Sequence, residues 1–122
     1  MTIIQVTGAI YGFGGSQTEW QQTTAAVWIA ANSVQVRIDS AVRGSLIGTC
    51  YVRLRSTVGS VTARLRNMTD GVTVGMSSAV TSTSFVTVSF GVSLTAGAKL
   101  YEMQLSPSLA DTDCQLGSAY FE

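Results

Sequence analysis

The chain has no histidine among its 122 residues. That absence removes Ser-His-Asp, Cys-His and histidine-metal mechanisms together, because each depends on an imidazole to move a proton or hold an ion. Acid-base chemistry would then rest on the seven carboxylates, Glu19, Asp39, Asp70, Glu102, Asp111, Asp113 and Glu122, the residue type that glycosidases pair across a scissile bond. Their settings point to structural, solvated roles instead. Asp70 precedes Gly71 in a turn signal, Asp111 and Asp113 follow Pro107 in a loop, and Glu122 ends the sequence. Asp111-x-Asp113 also lacks the glycine and closing glutamate of a calcium loop. Gly12-x-Gly14-Gly15 has the spacing of a phosphate-cradling turn but neither follows a long buried strand nor opens a helix. We therefore assign no catalytic residue, no metal and no cofactor.

Binding is the chemistry left. Arg53 and Arg55 alternate along one segment and Arg64 and Arg66 along the next. If the two segments lie side by side, all four line a single sheet face. Such a stripe is either a solvated outer surface or a docking surface for an acidic protein or a glycan. Aromatic residues do not interleave with these arginines, which disfavours stacked nucleic-acid bases. Trp28 sits in an alternating apolar segment and is expected in the core. Trp20 lies in the polar run Ser16–Gln22 and either caps the fold or faces a partner. Tyr11 and Phe13 interrupt a glycine-rich stretch, and they are expected to be covered by the body of the protein or by a neighbouring subunit.

The elements that must position these side chains are strands. Val34, Val36 and Ile38 alternate with Gln35, Arg37 and Asp39, after a preceding segment that stops at Asn32-Ser33. Cys50, Val52 and Leu54 alternate with Tyr51, Arg53 and Arg55, and Val61, Ala63 and Leu65 with Thr62, Arg64 and Arg66. This period of two marks strands with one dry face. Asp70-Gly71 predicts a hairpin that brings Val72–Met76 against Val61–Leu65, since glycine accepts the positive φ of the turn. Further strands are expected over Phe85–Leu94, Leu100–Leu105 and Cys114–Phe121, with a turn at Thr95-Ala96-Gly97 and a break at Ser106-Pro107-Ser108. Short helices are conceivable only over Asp39–Leu46 and Leu109–Asp113. The fold class is all-β, an antiparallel β-sandwich or jelly roll of about eight strands, with a closed barrel as the variant. Residues 1–22 read as a glycine-rich N-terminal arm and loop, and residues 23–122 as the sandwich domain.

Charge names no partner: seven basic residues balance seven acidic ones, and charged residues make up only 11% of the chain, so no long-range field draws in nucleic acid or an anionic membrane. A weakly charged surface resists self-association poorly, and an oligomer is expected. No apolar run approaches the ~20 residues that a spanning helix needs. The amino terminus lacks the basic and apolar regions of a secretory leader, which points to a cytoplasmically made product whose Cys50 and Cys114 stay reduced.

The series Tyr51-Val-Arg-Leu-Arg, Val61-Thr-Ala-Arg-Leu-Arg-Asn-Met-Thr-Asp-Gly, Val74-Gly-Met-Ser and Leu94-Thr-Ala-Gly-Ala-Lys-Leu-Tyr-Glu resembles small jelly-roll proteins of tailed bacteriophage particles. The resemblance spans residues 46–122 and consists of strands and turns, with no catalytic signature. It implies a virion protein, made in the host bacterial cytoplasm: a capsid decoration or cement protein that stabilises the shell by contacts with the major capsid protein or another virion protein, working as a homo-oligomer with a trimer favoured. The short chain beginning at its own Met1 favours decoration over a fibre. The alternative is a carbohydrate- or receptor-binding sandwich at the head of a tail fibre.

Overall fold

The computed structural model describes residues 10–13, 21–23, 28–109 and 112–122. Its elements in chain order are β1 (Tyr11–Gly12), β2 (Gln21–Thr23), β3 (Ile29–Asp39), α1 (Ser40–Arg43), β4 (Ile47–Ser56), β5 (Val61–Asn67), β6 (Val72–Met76), β7 (Val86–Ser93), β8 (Ala98–Pro107) and β9 (Thr112–Phe121). They form two antiparallel sheets. The first has the order β1-β9-β4-β7, with β2 also on β9, and the second has the order β3-β8-β5-β6. Of the paired strands only β5 and β6 are consecutive in sequence, so nearly every other connection crosses from one sheet to the other. The result is the predicted all-β sandwich.

Alternation decides what lies between the sheets. Cys50, Val52 and Leu54 of β4 and Cys114, Leu116, Ala119 and Phe121 of β9 are buried in the same core as Val61, Ala63 and Leu65 of β5 and Tyr101, Met103 and Leu105 of β8. Each fully buried aliphatic side chain removed from water contributes roughly 1.5–3 kcal/mol. The hairpin forms as expected: Leu65 lies opposite Gly75 and Asn67 opposite Val72, and Gly71 adopts φ 69° in the turn. Gly97 likewise takes φ 99° in the turn before β8.

Three expectations change. Asn32-Ser33 does not end a strand. β3 runs through it, and its register against β8 shifts between Ala30, opposite Gln104, and Gln35, opposite Glu102. A bulge absorbs the polar pair while pairing continues on both sides. The helix expected over Leu109–Asp113 is also absent at its described end, where Thr112 and Asp113 pair with Thr23 and Gln22 as strand. The other expected helix is present as a single turn, α1, whose start is capped by Asp39 (Ala41 N–H donates to Oδ1 at 3.0 Å) and whose end passes into Gly44 at φ 87°.

The third change concerns the arm. Its described parts belong to the first sheet: Tyr11 lies opposite Phe121, Gln21 lies opposite Cys114, and Phe13 is 1% exposed in the core, with its N–H donating to Ala119 O at 2.9 Å. Trp20, Glu19 and Asp111 lie outside the described residues.

Candidate functional site

The four arginines do not form one stripe. β4 belongs to the first sheet and β5 to the second, because the connection between them crosses the sandwich edge instead of making a hairpin. Arg53 and Arg55 therefore project from one outer face, and Arg64 and Arg66 from the other.

On the first sheet the guanidinium groups of Arg53 and Arg55 lie 4.7 and 4.5 Å from the centre of the Phe85 ring, and Arg55 Nε donates to Gln115 Oε1 at 2.7 Å. Tyr51 and Tyr120, opposite one another on β4 and β9, stack with ring centres 5.0 Å apart. Gly117 makes room for Phe85, since a Cβ there would stand 3.1 Å from the ring. These contacts consolidate the face by cation-π attraction and ring stacking.

The second sheet carries a connected polar floor. Gln35 of β3, Glu102 of β8, Arg66 of β5 and Thr73 of β6 stand opposite one another across all four strands, and Gln104 faces Arg64 in the next rung. Gln35 Nε2 donates to Glu102 Oε2 at 3.1 Å and Gln104 Nε2 to Glu102 Oε1 at 2.9 Å. Arg64 Nε donates to Gln104 Oε1 at 2.8 Å, and Arg66 Nη1 to Thr73 Oγ1 at 3.1 Å. Although Glu102 and Gln104 point away from the core, they are only 7% and 8% exposed. Their strand is interior to the sheet, and longer side chains from both neighbours fold over it. Burial, and then the adjacent Arg66 charge, lower the pKa of Arg64 from its ordinary value.

Trp28 borders this floor, with its ring centre 4.2 Å from the Arg64 guanidinium carbon. That corrects the expectation of a core tryptophan. Ile29 lies opposite the buried Leu105, so the period of two turns Trp28 outward, where it is half-buried. Met68, whose sulfur is 3.8 Å from Gln104 Nε2, and Met76, opposite Arg64, are partly exposed apolar neighbours of the same face. Gln35, Gln104 and Thr73 were not singled out from the sequence, and Glu102 was named there only as one of the seven carboxylates. Their outward direction was legible from the alternation with Tyr101, Met103 and Leu105, but which residues stood opposite them was not.

Other side chains are engaged within the fold. Tyr11 is half-buried with its ring centre 6.2 Å from that of Phe121. Arg43 is buried over the Phe121 ring at 4.5 Å, and its Nη1 donates to Ser45 O and Ile47 O. Asp70 pairs with Lys99 at 3.1 Å in the hairpin turn. Among the described residues no group of three His, Cys, Asp or Glu is placed to hold a metal ion, and no helix is long and apolar enough to cross a membrane.

No protein-family model and no curated protein matches the sequence. Among solved structures, the chain is similar to a carbohydrate-binding module from Cellvibrio mixtus lichenase 5A, determined in complex with cellotriose. The superposition has a TM-score of 0.58 at 15% sequence identity and covers 96% of this chain and 98% of that one. At that identity the likeness is one of fold, and it establishes a β-sandwich along nearly the whole length of the chain.

Proposed function

We propose that this protein is a non-catalytic carbohydrate-binding β-sandwich whose glycan lies across the outer face of the second sheet. The observation that carries the reading is the floor of Gln35, Glu102, Gln104 and Arg64, hydrogen-bonded into one orientation beside the Trp28 ring, with Arg66 bonded to Thr73 next to it. Sugar hydroxyls both donate and accept, and planar carboxylate, amide and guanidinium groups offer both complements with lone pairs and protons to spare. Because the side chains already brace one another, little rotamer freedom is lost when a ligand arrives. The tryptophan adds a flat apolar surface for a sugar ring. The sandwich it resembles in fold binds cellotriose, which supports the reading. The resemblance to phage particle proteins gives it a setting, as a host-binding module of a virion.

Glycan-array binding followed by titration calorimetry tests this. A glycan should bind, and Trp28→Ala and Gln104→Ala should each weaken it about tenfold, the effect of losing ~1.4 kcal/mol of contact. Absence of any glycan ligand, or folded variants that bind as the parent does, would remove the proposal.

One observation favours the shell-cement reading instead. Ile10, Val42, Leu46 and Ile47 are 65%, 57%, 41% and 66% exposed, and α1 and the start of β4 bring the last three together. Apolar side chains left in water are what a protein partner covers. Sedimentation of the purified chain as a monomer that does not bind phage shells would count against that alternative.

A further inference from the structure

The sugar face described above carries more positive charge than its hydrogen bonds use. Arg64 and Arg66 are two residues apart on β5, and burial, then the Arg66 charge, lower the pKa of Arg64. Among the described residues neither arginine has a carboxylate at ion-pair distance. Glu102 stands directly opposite Arg66, yet the bonds its carboxylate accepts come from the neutral amides of Gln35 and Gln104. The arginines are held by neutral groups as well, namely Gln104 Oε1 and the Trp28 ring for Arg64 and Thr73 Oγ1 for Arg66. Arg37, exposed on β3 beside Gln35, adds a third guanidinium to the same face, while the neighbouring Asp39 carboxylate is engaged at the start of α1.

Two like charges on neighbouring positions of one face cost energy unless an anion joins them. Here each side chain spends one donor on a neutral oxygen and keeps further N–H groups of its fork for a ligand. A guanidinium fork matches a carboxylate with two parallel charge-assisted bonds, which are stronger than bonds to a neutral hydroxyl. A sugar acid supplies both halves of what the face presents: a carboxylate for the arginines, and ring hydroxyls for the Gln35, Glu102 and Gln104 floor.

Resting on the carbohydrate-binding reading, we infer that the face formed by Arg64, Arg66, Glu102, Gln104 and Trp28 selects acidic glycans, with the two arginines receiving the carboxylate of a uronic or sialic acid. Glu102 then acts as a spacer. Fixed by its amide donors, it accepts from hydroxyls on the ring and leaves the guanidinium groups to the acid.

The test is a paired array on which oligogalacturonate, oligomannuronate and sialyllactose each stand beside their carboxyl-reduced forms, with polyglutamate as a sugar-free anion. At least one acid should bind about tenfold or more tightly than its reduced twin, as charge-assisted pairing requires, and the advantage should shrink as salt rises. Arg66→Gln should weaken binding of the acid far more than that of its reduced twin, so that the advantage is lost; a variant that weakened both equally would overturn the acid selectivity. Equal binding of every acid and its reduced twin would overturn the acid selectivity and leave glycan binding standing. Polyglutamate bound as tightly as the best acid would overturn it too, by showing that charge alone suffices. Failure of every sugar to bind would remove the carbohydrate reading itself. The twin comparison uses the unaltered protein, so a variant that fails to fold leaves the test intact.

Discussion

Gly75 shows how tightly single residues are constrained where the sheets meet. A Cβ at this position would stand 2.7 Å from Gly91 O and 3.0 Å from the Phe90 ring, and a backbone carbonyl yields less readily than a flexible side chain. Gly75→Ala should destabilise the protein by about 1–3 kcal/mol, the usual cost of overpacking, read as a lowered urea midpoint; an unchanged midpoint would show that β6 and β7 separate freely. Arg43 is a second constraint. Its guanidinium covers Phe121 and bonds two carbonyls from one nitrogen while Nε has no partner. Arg43→Lys keeps the charge but loses the flat contact, and should lower stability by about 1 kcal/mol, the scale of a hydrogen bond or a cation-π contact. The sequence marked neither position, since a glycine in a strand and an arginine near a turn look ordinary until their neighbours are known.

At the scale of elements, the β5–β6 hairpin is tied to the start of β8 by side chains as much as by backbone. Asn67 is fully buried; its Oδ1 accepts from Asp70 N–H at 3.0 Å, and its Nδ2 donates to Asp70 Oδ2 at 2.8 Å and Thr95 Oγ1 at 3.0 Å. Asn67→Ala removes all three bonds, leaving Asp70 Oδ2 only its Lys99 partner, and should cost about 2 kcal/mol, measurable by thermal unfolding. The Lys99 ammonium, and then the Asn67 amide, hold the Asp70 carboxyl below its ordinary 3.8. A depressed carboxylate pKa stabilises the fold above the unfolded value, and that stabilisation is lost as pH falls through the folded value. The stability gap between the parent and Asp70→Asn should therefore be fully open at neutral pH and narrow only as pH falls below the ordinary 3.8 towards the lowered value. A gap that stayed constant would mean that the carboxylate charge contributes nothing. Asp70-Gly71 made this hairpin legible in advance, because its strands are consecutive and the turn chemistry is local. The β4–β5 connection carried no such signal, so the four arginines were drawn together when the fold separates them.

For the molecule as a whole, the two cysteines report on the core. Cys50 lies opposite Phe121 and Cys114 opposite Ser56 on adjacent strands, six residues apart along β4, or ~20 Å at the rise of an extended chain. That separation is beyond the reach of a disulfide between them, so reductant should not change the unfolding curve. Burial pushes the Cys50 thiol up from 9.0 to about 12. The folded state then keeps a proton that the unfolded state releases, so the contribution is fully present below about pH 9 and is lost as pH rises towards 12. Alkaline titration should show this loss, and Cys50→Ala should flatten the slope; an equally steep slope in the variant would assign it to Tyr101, whose pKa burial also raises.

The sequence by itself determined most of the strands, the β5–β6 turn and the side of β4, β5 and β7 that faces water, because side-chain alternation and turn geometry are set by residues a few positions apart. It also excluded imidazole chemistry outright. Only the tertiary structure decided which strands share a sheet, that Trp28 faces outward, and that Gln35, Glu102, Gln104 and Arg64 meet in one network beside the Arg66–Thr73 pair. Strand pairing across long intervals depends on how a whole core closes, and a bulge of the kind found in β3 changes the register without altering the pattern that announces the strand.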